Sequence, residues 1–371
     1  MKYCVLGAGL MGKAIAYDLL QQNDTTKVLL TDNNSEELKK AQEFLNCGDK
    51  VTSSLLQTKT FDAKNESDIE EIFQNVDAAV AAIHYKFNPS FTKIAIKTKT
   101  HLCDLGGNSS IVDEQLKMLP EAEAAGISII PDCGLAPGMV AVLVKWGLEK
   151  FIWADTVKIR VGGLPQNPTG VLKYGRLFSI EGLINEYIEP VRVLRNGKIE
   201  TIEPLTEIEE IEFPGFDTLE AFTTSGGTST LIETYKNRLK NLDYKTIRYQ
   251  GHCKIIREMY DSGMFFGEKR RATVKYLEET IPLEKEDVTL VKIIFDGSKD
   301  GAQSQQELII IDKAKPPFTA MMRTTAFPAA IISQMQARGQ ITILGVQPQE
   351  KCIPAKLFIS ELSKRGIEIS F

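Results

Sequence analysis

The sequence predicts an α/β fold in which a doubly wound parallel sheet is followed by an α+β unit on a mixed or antiparallel sheet. Three observations predict it. Strand and helix signals alternate from Lys2 to Pro131, and parallel strands need such crossover connections. The stretch GAGLMG, residues 7–12, stands between the first strand and the first helix with glycines at the spacing of a dinucleotide-binding turn. From about Thr156 the strands alternate faces and are joined by hairpin signals.

In the first unit, Lys2 to Leu6 read as a short buried strand. Gly7 then allows the tight turn, Gly9 lets the backbone approach a pyrophosphate, and Gly12 lets the next helix pack closely on the sheet. That helix is amphipathic, with Ala14, Ile15 and Leu19 inward and Lys13, Asp18 and Gln21 outward. Its N-terminal N–H groups are directed at the phosphates. The second strand, Lys27 to Thr31, is followed by Asp32, 20 residues past Gly12, where a carboxylate accepts ribose hydroxyls and repels a 2′-phosphate. Only Asn33 and Asn34 follow, with no arginine, so NAD is expected rather than NADP. Asn34 and Glu37 form a capping box for a helix to about Leu45. Thr60 to Asp62 reads as a third strand, Ser67 and Glu70 cap the next helix, and Ala78 to Ile83 is a fourth strand. Asn88 and Pro89 open another helix in cap and first-turn positions. His101 to Asp104 is the fifth strand, a helical stretch runs through Pro120 to the cap Gly126, and Ile127 to Pro131 is the sixth. Six parallel strands make a complete Rossmann-type domain.

In the second unit, Val157, Ile159 and Val161 point one way and Lys158 and Arg160 the other. Asn196-Gly197, between Val191 to Arg195 and Lys198 to Ile202, is a two-residue hairpin signal. Gly297 to Gly301 is expected to turn the chain between Val288 to Phe295 and Glu307 to Asp312. Glu207 to Glu212 and Glu268 to Arg271 read as solvated faces. The segment from Pro328 through Ile331, Ile332 and Met335 to the cap Gly339 is helical again.

A chain of 371 residues suits two domains. The net charge of −5, with Lys and Arg spread along the chain, gives no footprint for nucleic acid. No apolar run approaches the ~20 residues that cross a bilayer, and a first strand starting at Lys2 leaves no room for a leader, so a cytoplasmic protein is expected. Cys4, Cys47, Cys103, Cys133, Cys253 and Cys352 form no C-x-x-C pair, as expected of reduced thiols. His84, His101 and His252 lie far apart, none near a cysteine or acid at zinc-ligand spacing, so no metal site is expected.

Several residues carry candidate chemistry. Asp104 and Asp132 end strands five and six and should face the nicotinamide end of a bound dinucleotide, or else only cap and turn the chain. Asp132 leads into CGLAPGM, where Pro137 and Gly138 are expected to begin a helix. TSGGTSTL, residues 224–231, couples a flexible turn to a hydroxyl-rich helix start and suits either an anion or a capped turn. In YKTIRYQGH, residues 244–252, Tyr244, Thr246 and Arg248 share one strand face and Lys245, Ile247 and Tyr249 the other. The Arg248 fork suits a carboxylate, the alternative being a surface arginine paired locally. Arg323, within MRTTAF, is a second candidate clamp. His252 is either a proton shuttle, with an ordinary pKa near ~6.5, or a helix-capping residue.

These motifs resemble those of the L-lysine 6-dehydrogenases and, more distantly, the saccharopine dehydrogenase (saccharopine reductase) family. The likeness covers nearly the whole chain. It rests on GAGLMG from Gly7, DLGG from Asp104, PDCGLAPGM from Pro131, VGGLP from Val161, RNGK from Arg195, EAFTTSGGTSTL from Glu220, YKTIRYQGH from Tyr244 and RTTAF from Arg323. One departure follows DLGG, where Asn108, Ser109 and Ser110 stand in place of the histidines of lysine 6-dehydrogenases. The resemblance implies a nucleotide-binding domain over 1–137, an inserted catalytic α+β domain over 138–324, and a C-terminal segment, 325–371, that returns to the first domain.

It further implies NAD-dependent removal of the ε-amino group of L-lysine, with release of ammonia and formation of 2-aminoadipate 6-semialdehyde. Arg248, with Arg323, would hold the carboxylate, and Asp104 and Asp132 the ε-ammonium. His252, and after it Lys245, are candidates to accept the proton that an amine with a pKa near ~10.4 must lose before hydride transfer. Tyr174 and Thr224 complete the candidate catalytic set. Gly7, Gly9, Leu10, Met11, Gly12, Asp32, Asp62, Ala82 and His84 make up the cofactor-binding set. The expected partner is a small amino acid or amine, and the expected assembly a homo-oligomer, taken as a dimer. Two other readings are a family enzyme acting on a secondary amine, such as saccharopine or carboxynorspermidine, and a catalytically silent NAD-binding regulatory protein.

Overall fold

The structure is a computed structural model that describes residues 1–46 and 54–371; Cys47 lies outside the described residues. Two compact units emerge, one of Met1–Leu143 with Met322–Gly366, the other of Val144–Met321 with Ile367–Phe371.

The first unit runs β1 (Lys2–Leu6), α1 (Leu10–Leu20), β2 (Lys27–Asp32), α2 (Ser35–Asn46), β3 (Leu56–Thr60), α3 (Glu66–Phe73), β4 (Ala78–Ala81), α4 (Asn88–Thr98), β5 (His101–Asp104), α5 (Ser109–Leu116), α6 (Leu119–Ala124), β6 (Ser128–Ile130) and the start of α7 (Met139–Lys150). Its strands are parallel, in the order β6-β5-β4-β1-β2-β3, with a seventh beyond β6 that arrives from the C-terminal part of the chain. The central strands are buried on both faces, as a doubly wound sheet requires.

Three local differences from the sequence reading have physical causes. The third strand lies before Phe61, so Asp62 falls beyond it; as the sheet's edge, β3 carries the polar sequence LQTKT and lacks an apolar run. Helix α7 begins at Met139, because Gly138 has a φ of 131° and lies against Gly134, where a Cβ would stand 2.1 Å from the Gly134 carbonyl oxygen. Pro137 and Gly138 therefore belong to a loop. Asp18, read as outward, is buried: the Arg365 fork donates to both its oxygens, at 2.7 and 2.8 Å.

The second unit runs from the end of α7 through β7 (Ala154–Pro165), α8 (Ile180–Ile188), β8 (Val191–Arg195), β9 (Lys198–Ile202), β10 (Glu209–Ile211), β11 (Leu219–Thr223), α9 (Leu231–Tyr235), β12 (Asn241–Tyr249), α10 (His252–Asp261), α11 (Gly267–Thr280), β13 (Asp287–Lys299) and β14 (Ala302–Lys313). Its mixed sheet has the order β10-β11-β12-β7-β13-β14, with β8 paired to β12 and β9. Asn196 and Gly197, at φ 49° and 75°, make the expected tight hairpin turn. The β13–β14 turn is tighter than expected and sits at Asp300-Gly301. Gly297 lies inside β13 at a register shift, where a Cβ would meet the Trp153 carbonyl oxygen at 2.4 Å.

The chain closes with α12 (Ala320–Ala337), β15 (Gly345–Val346), α13 (Gln349–Cys352) and α14 (Ala355–Lys364). β15 is the seventh strand of the first sheet, beside β6. Within that unit, Gln336 donates to the carbonyls of Leu102 and Ser128, and Gln334 to Asp18. No helix among the described residues is long and apolar enough to cross a membrane.

The run from Glu207 to Glu212 is largely exposed, as expected, but the carboxylates of Glu207 and Glu209 are paired with cations. On one face of β12, buried Arg160 donates to Asp243 at 2.6 Å and to Glu209, Arg195 joins Asp243 to Glu207, and Lys245 donates to Glu209 at 2.7 Å. Burial pushes the Asp243 carboxyl up, but Arg160 and Arg195 outweigh it and hold the group below its ordinary 3.8. Removing one partner of such a buried pair strands the other charge, so Asp243→Asn is expected to cost about 3–5 kcal/mol in urea unfolding at pH 7. A depressed carboxyl gives stability that is complete above its unfolded pKa and lost as pH falls through the folded one. The gap between wild type and variant should therefore close below roughly pH 4; a loss under ~1 kcal/mol, or a gap that widens in acid, would exclude this role.

Candidate active site

In the first unit the glycine turn has the shape a dinucleotide needs. Gly7 has a φ of 103° and donates to the Thr31 carbonyl at 2.7 Å; a Cβ there would strike Ala82. A Cβ at Gly12 would lie 1.8 Å from the Gly7 carbonyl oxygen, so only glycine lets α1 approach this closely. At Gly9 the same test meets nothing within 4 Å. The turn is thus packed tightly on the sheet side and open at the residue that must admit a pyrophosphate. Leu10 and Met11 form the first turn of α1, which contains no acidic residue to compete with phosphate.

Asp32 braces this turn while ending β2. Its carboxylate accepts from the Ala8 N–H at 2.8 Å and the Asn34 N–H at 2.9 Å. The remaining cofactor candidates lie at the ends of neighbouring strands. Ala82 follows β4, His84 accepts from the Lys86 N–H, and Asp62 accepts from the Lys64 N–H in the turn after β3. The residues present therefore fit a nicotinamide dinucleotide.

Asp104, at the end of β5, is fully buried and spent on its surroundings: it accepts from the N–H groups of Gly106 and Asp132 and from the Gln115 amide. Burial pushes its carboxyl up and these donors pull it back. Asp132 follows two residues after β6 with a φ of 61°, and α7 begins only at Met139, so Asp132 is not the residue that directly precedes the helix. Asp104 thus fixes the backbone of the loop that carries Asp132. Arg323, the second candidate clamp, sits in α12 and donates to the carbonyls of Arg365 and Gly366, capping the end of α14. Those contacts give it a structural task that the sequence reading did not assign.

The second unit assembles a distinct cluster on the other face of β12. Arg248 is 3% exposed. It donates from Nε to the Tyr187 hydroxyl at 3.1 Å and from Nη1 to the Ile247 carbonyl at 2.9 Å, and its guanidinium carbon lies 5.0 Å from the centre of the Tyr174 ring. Its cross-strand neighbour Glu220 turns away, accepting from the Gly251 and Cys253 N–H groups at the start of α10. Thr224 joins Thr246 on the same face, hydroxyl to hydroxyl at 2.6 Å. Lys245 points to the opposite face, into the ion network, which separates it from Arg248 and removes it as the second proton acceptor.

His252 is buried with both ring nitrogens engaged: Nδ1 lies 2.8 Å from the Leu172 carbonyl and Nε2 3.0 Å from the Tyr187 hydroxyl. A carbonyl can only accept, so Nδ1 carries the proton, and Tyr187, receiving from Arg248, donates to Nε2. Burial, aided by the Arg248 charge, lowers the His252 pKa to about 3. The ring is a neutral, fixed member of a chain from Arg248 through Tyr187 to Leu172, which corrects its reading as a proton shuttle.

Two members were missed in the sequence. Tyr187 lies on the apolar stripe of α8 with Ile180, Leu183 and Ile184. Glu186 flanks that stripe; burial pushes its carboxyl up to about 7, with the Arg248 charge opposing. The signal was a tyrosine and a glutamate bordering the buried side of an amphipathic helix. Among the described residues no group of three or more His, Cys, Asp or Glu side chains is placed to hold a metal ion.

The neutral state of His252 can be measured directly. Its ring nitrogens in 15N NMR should report the Nδ1–H tautomer, unprotonated, at pH 5; a titration midpoint near ~6.5 would overturn the assignment. Because the unfolded ring takes up a proton at higher pH than the folded one, this burial lowers stability progressively as pH falls below ~6.5.

Comparison with known proteins places these two clusters in context. Residues 3–130 match the saccharopine dehydrogenase NADP binding domain, and residues 134–367 the saccharopine dehydrogenase C-terminal domain. Over 281 residues, 70% of this chain, the sequence is 26% identical to the saccharopine dehydrogenase (NADP(+), L-glutamate-forming) of Saccharomyces cerevisiae. The match spans 57% of that protein's length. The apo structure of histidine-tagged saccharopine dehydrogenase (L-Glu forming) from Saccharomyces cerevisiae shares the fold, with a TM-score of 0.81 at 18% identity over 100% of this chain and 99% of that one.

Proposed function

The chain belongs to the saccharopine dehydrogenase family, and from that premise we propose that it oxidises the ε-amino group of L-lysine with NAD to an imine that water hydrolyses, releasing ammonia and leaving 2-aminoadipate 6-semialdehyde. The observation that carries the substrate half is Arg248, a buried guanidinium oriented by a hydroxyl, a carbonyl and an aromatic ring and paired with no carboxylate among the described residues. A fork held this way grips one substrate carboxylate in a fixed direction. Tyr174 covers its face, and Tyr187 and His252 hold its Nε edge. Thr224 supports the same sheet face through Thr246. Asp132 would hold the ε-ammonium and take its proton, with Asp104 as the positioning residue for its loop.

For the cofactor half, the turn from Gly7 to Gly12 would hold the pyrophosphate, and Asp32 the adenosine ribose. Asp62, Ala82 and His84 would line the remaining strand ends. NAD, when bound, supplies the hydride acceptor. The printed names of the matching domain and of the yeast relative carry NADP. NAD is favoured here by Asp32, whose carboxylate stands where a 2′-phosphate would need a cation. A cytoplasmic homodimer accords with this reading.

Absorbance at the NADH band tests the reaction: L-lysine with NAD should give turnover. Turnover with a secondary amine and none with L-lysine would move the protein to another activity of the family. Cofactor titration should show NAD binding more tightly than NADP, and Asp32→Ala should weaken NAD and narrow the gap; equal or tighter binding of NADP sinks the assignment. Asp132→Asn should preserve the melting temperature and NAD binding while turnover collapses. If turnover stayed within about threefold, worth less than ~1 kcal/mol of transition-state stabilisation, Asp132 would be structural.

A further inference from the structure

Glu186 and Arg248 carry opposite charges in one cluster and do not pair with each other. The Glu186 carboxylate is only partly exposed and has no hydrogen-bond or ion-pair partner among the described residues. Its position is fixed, since its backbone carbonyl accepts from the Ser225 N–H at 3.0 Å. Arg248 uses Nε and Nη1 on Tyr187 and Ile247, and no described residue accepts from Nη2. The groups around them are neutral or already engaged. Burial pushes the Tyr187 hydroxyl up to about 12 and raises Tyr174 and Tyr244 as well, so all three stay protonated. His252 is neutral, Glu220 caps α10, and Glu189 accepts from the Ser225 hydroxyl.

We propose that Glu186 and Arg248 together form a receptor for the zwitterionic head of an α-amino acid, Arg248 taking the carboxylate and Glu186 the α-ammonium. This rests on the assignment of Arg248 to the substrate carboxylate and adds a second specificity-determining residue. A buried cation and a half-buried anion held apart each lack a partner of opposite charge, and a ligand that carries both charges on neighbouring atoms satisfies both. A plain carboxylic acid leaves Glu186 unanswered, and a plain diamine or polyamine leaves Arg248 unanswered. The ammonium also draws Glu186 fully into its ionised form, which burial alone resists near neutral pH. The enzyme would therefore select for the α-amino group of its substrate although no bond there is broken.

Calorimetric titration of the NAD-loaded protein tests this with two ligands that have no ε-amine to oxidise, L-norleucine and hexanoate, which differ only by the α-amino group. Wild type should bind L-norleucine at least about tenfold more tightly, in keeping with one charge-assisted contact. Glu186→Gln should remove most of that preference by weakening L-norleucine while leaving hexanoate unchanged or tighter, and Arg248→Lys should weaken both. Equal binding of the two ligands by wild type overturns the Glu186 assignment and leaves Arg248 in place. If neither ligand binds, the Arg248 reading fails with it. The wild-type ligand pair decides the matter without any variant, and Glu186→Asp, which keeps the charge, should retain the preference if Glu186→Gln proves unstable.

Discussion

A guanidinium removed from water must be met by acceptors, and the second unit is arranged around how its buried and half-buried cations are met on the two faces of β12. On one face Arg160, Arg195 and Lys245 are matched by Asp243, Glu207 and Glu209. Each cation there has a carboxylate, and desolvation is offset by pairing. On the other face Arg248 receives a hydroxyl, a carbonyl and a ring face. These fix its direction without cancelling its charge. One face of the strand is thereby closed electrostatically, and on the other the guanidinium has no carboxylate paired with it among the described residues.

The alternation of YKTIRYQGH made the division of faces legible, because a strand has a side-chain period of two whatever it pairs with. What met each side chain was not legible, since it arrives from distant strands and helices. The exposure of the acidic run was legible, but the pairing of Glu209 was not, because local composition carries no record that Arg160, 49 residues away along the chain, is buried against it. Glu186 and Tyr187 were hidden in an ordinary amphipathic helix. His252 kept its ordinary reading because the fact that neutralises it is enclosure, a property of the fold.

The nucleotide unit shows the reverse. Its glycine turn was readable almost residue by residue, since backbone approach at Gly7 and Gly12 forbids a Cβ and leaves the same spacing wherever the chemistry recurs. Elements fixed by long-range partners were harder. Asp18 looked outward on the helical period, yet its partner Arg365 lies 347 residues further along the chain. The two-residue β15 is too short for any periodic signal and exists because β6 offers an edge. Asp32 illustrates how a motif residue carries two tasks. It holds the turn through Ala8 while presenting a charge at the end of β2, so a substitution there reaches the shape of the turn as well as its charge.

The same accounting of charge bears on which amine the second unit suits. A secondary amine built from two amino acids brings more carboxylates than one guanidinium fork can hold, and each would need a cation of its own when desolvated. The cations across β12 are committed to Asp243, Glu207 and Glu209, and Arg270, beside α8, is bonded to the Asn185 amide, whereas the side chain of half-buried Arg176, two residues from Tyr174, has no partner among the described residues. Recruiting Arg160 would strand the buried Asp243 carboxylate and disrupt the sheet's closed face. Arg248 with Glu186 matches the one carboxylate and one α-ammonium of a single amino-acid head. The charge pattern of this cluster therefore matches the amino-acid head that lysine and a larger conjugate share.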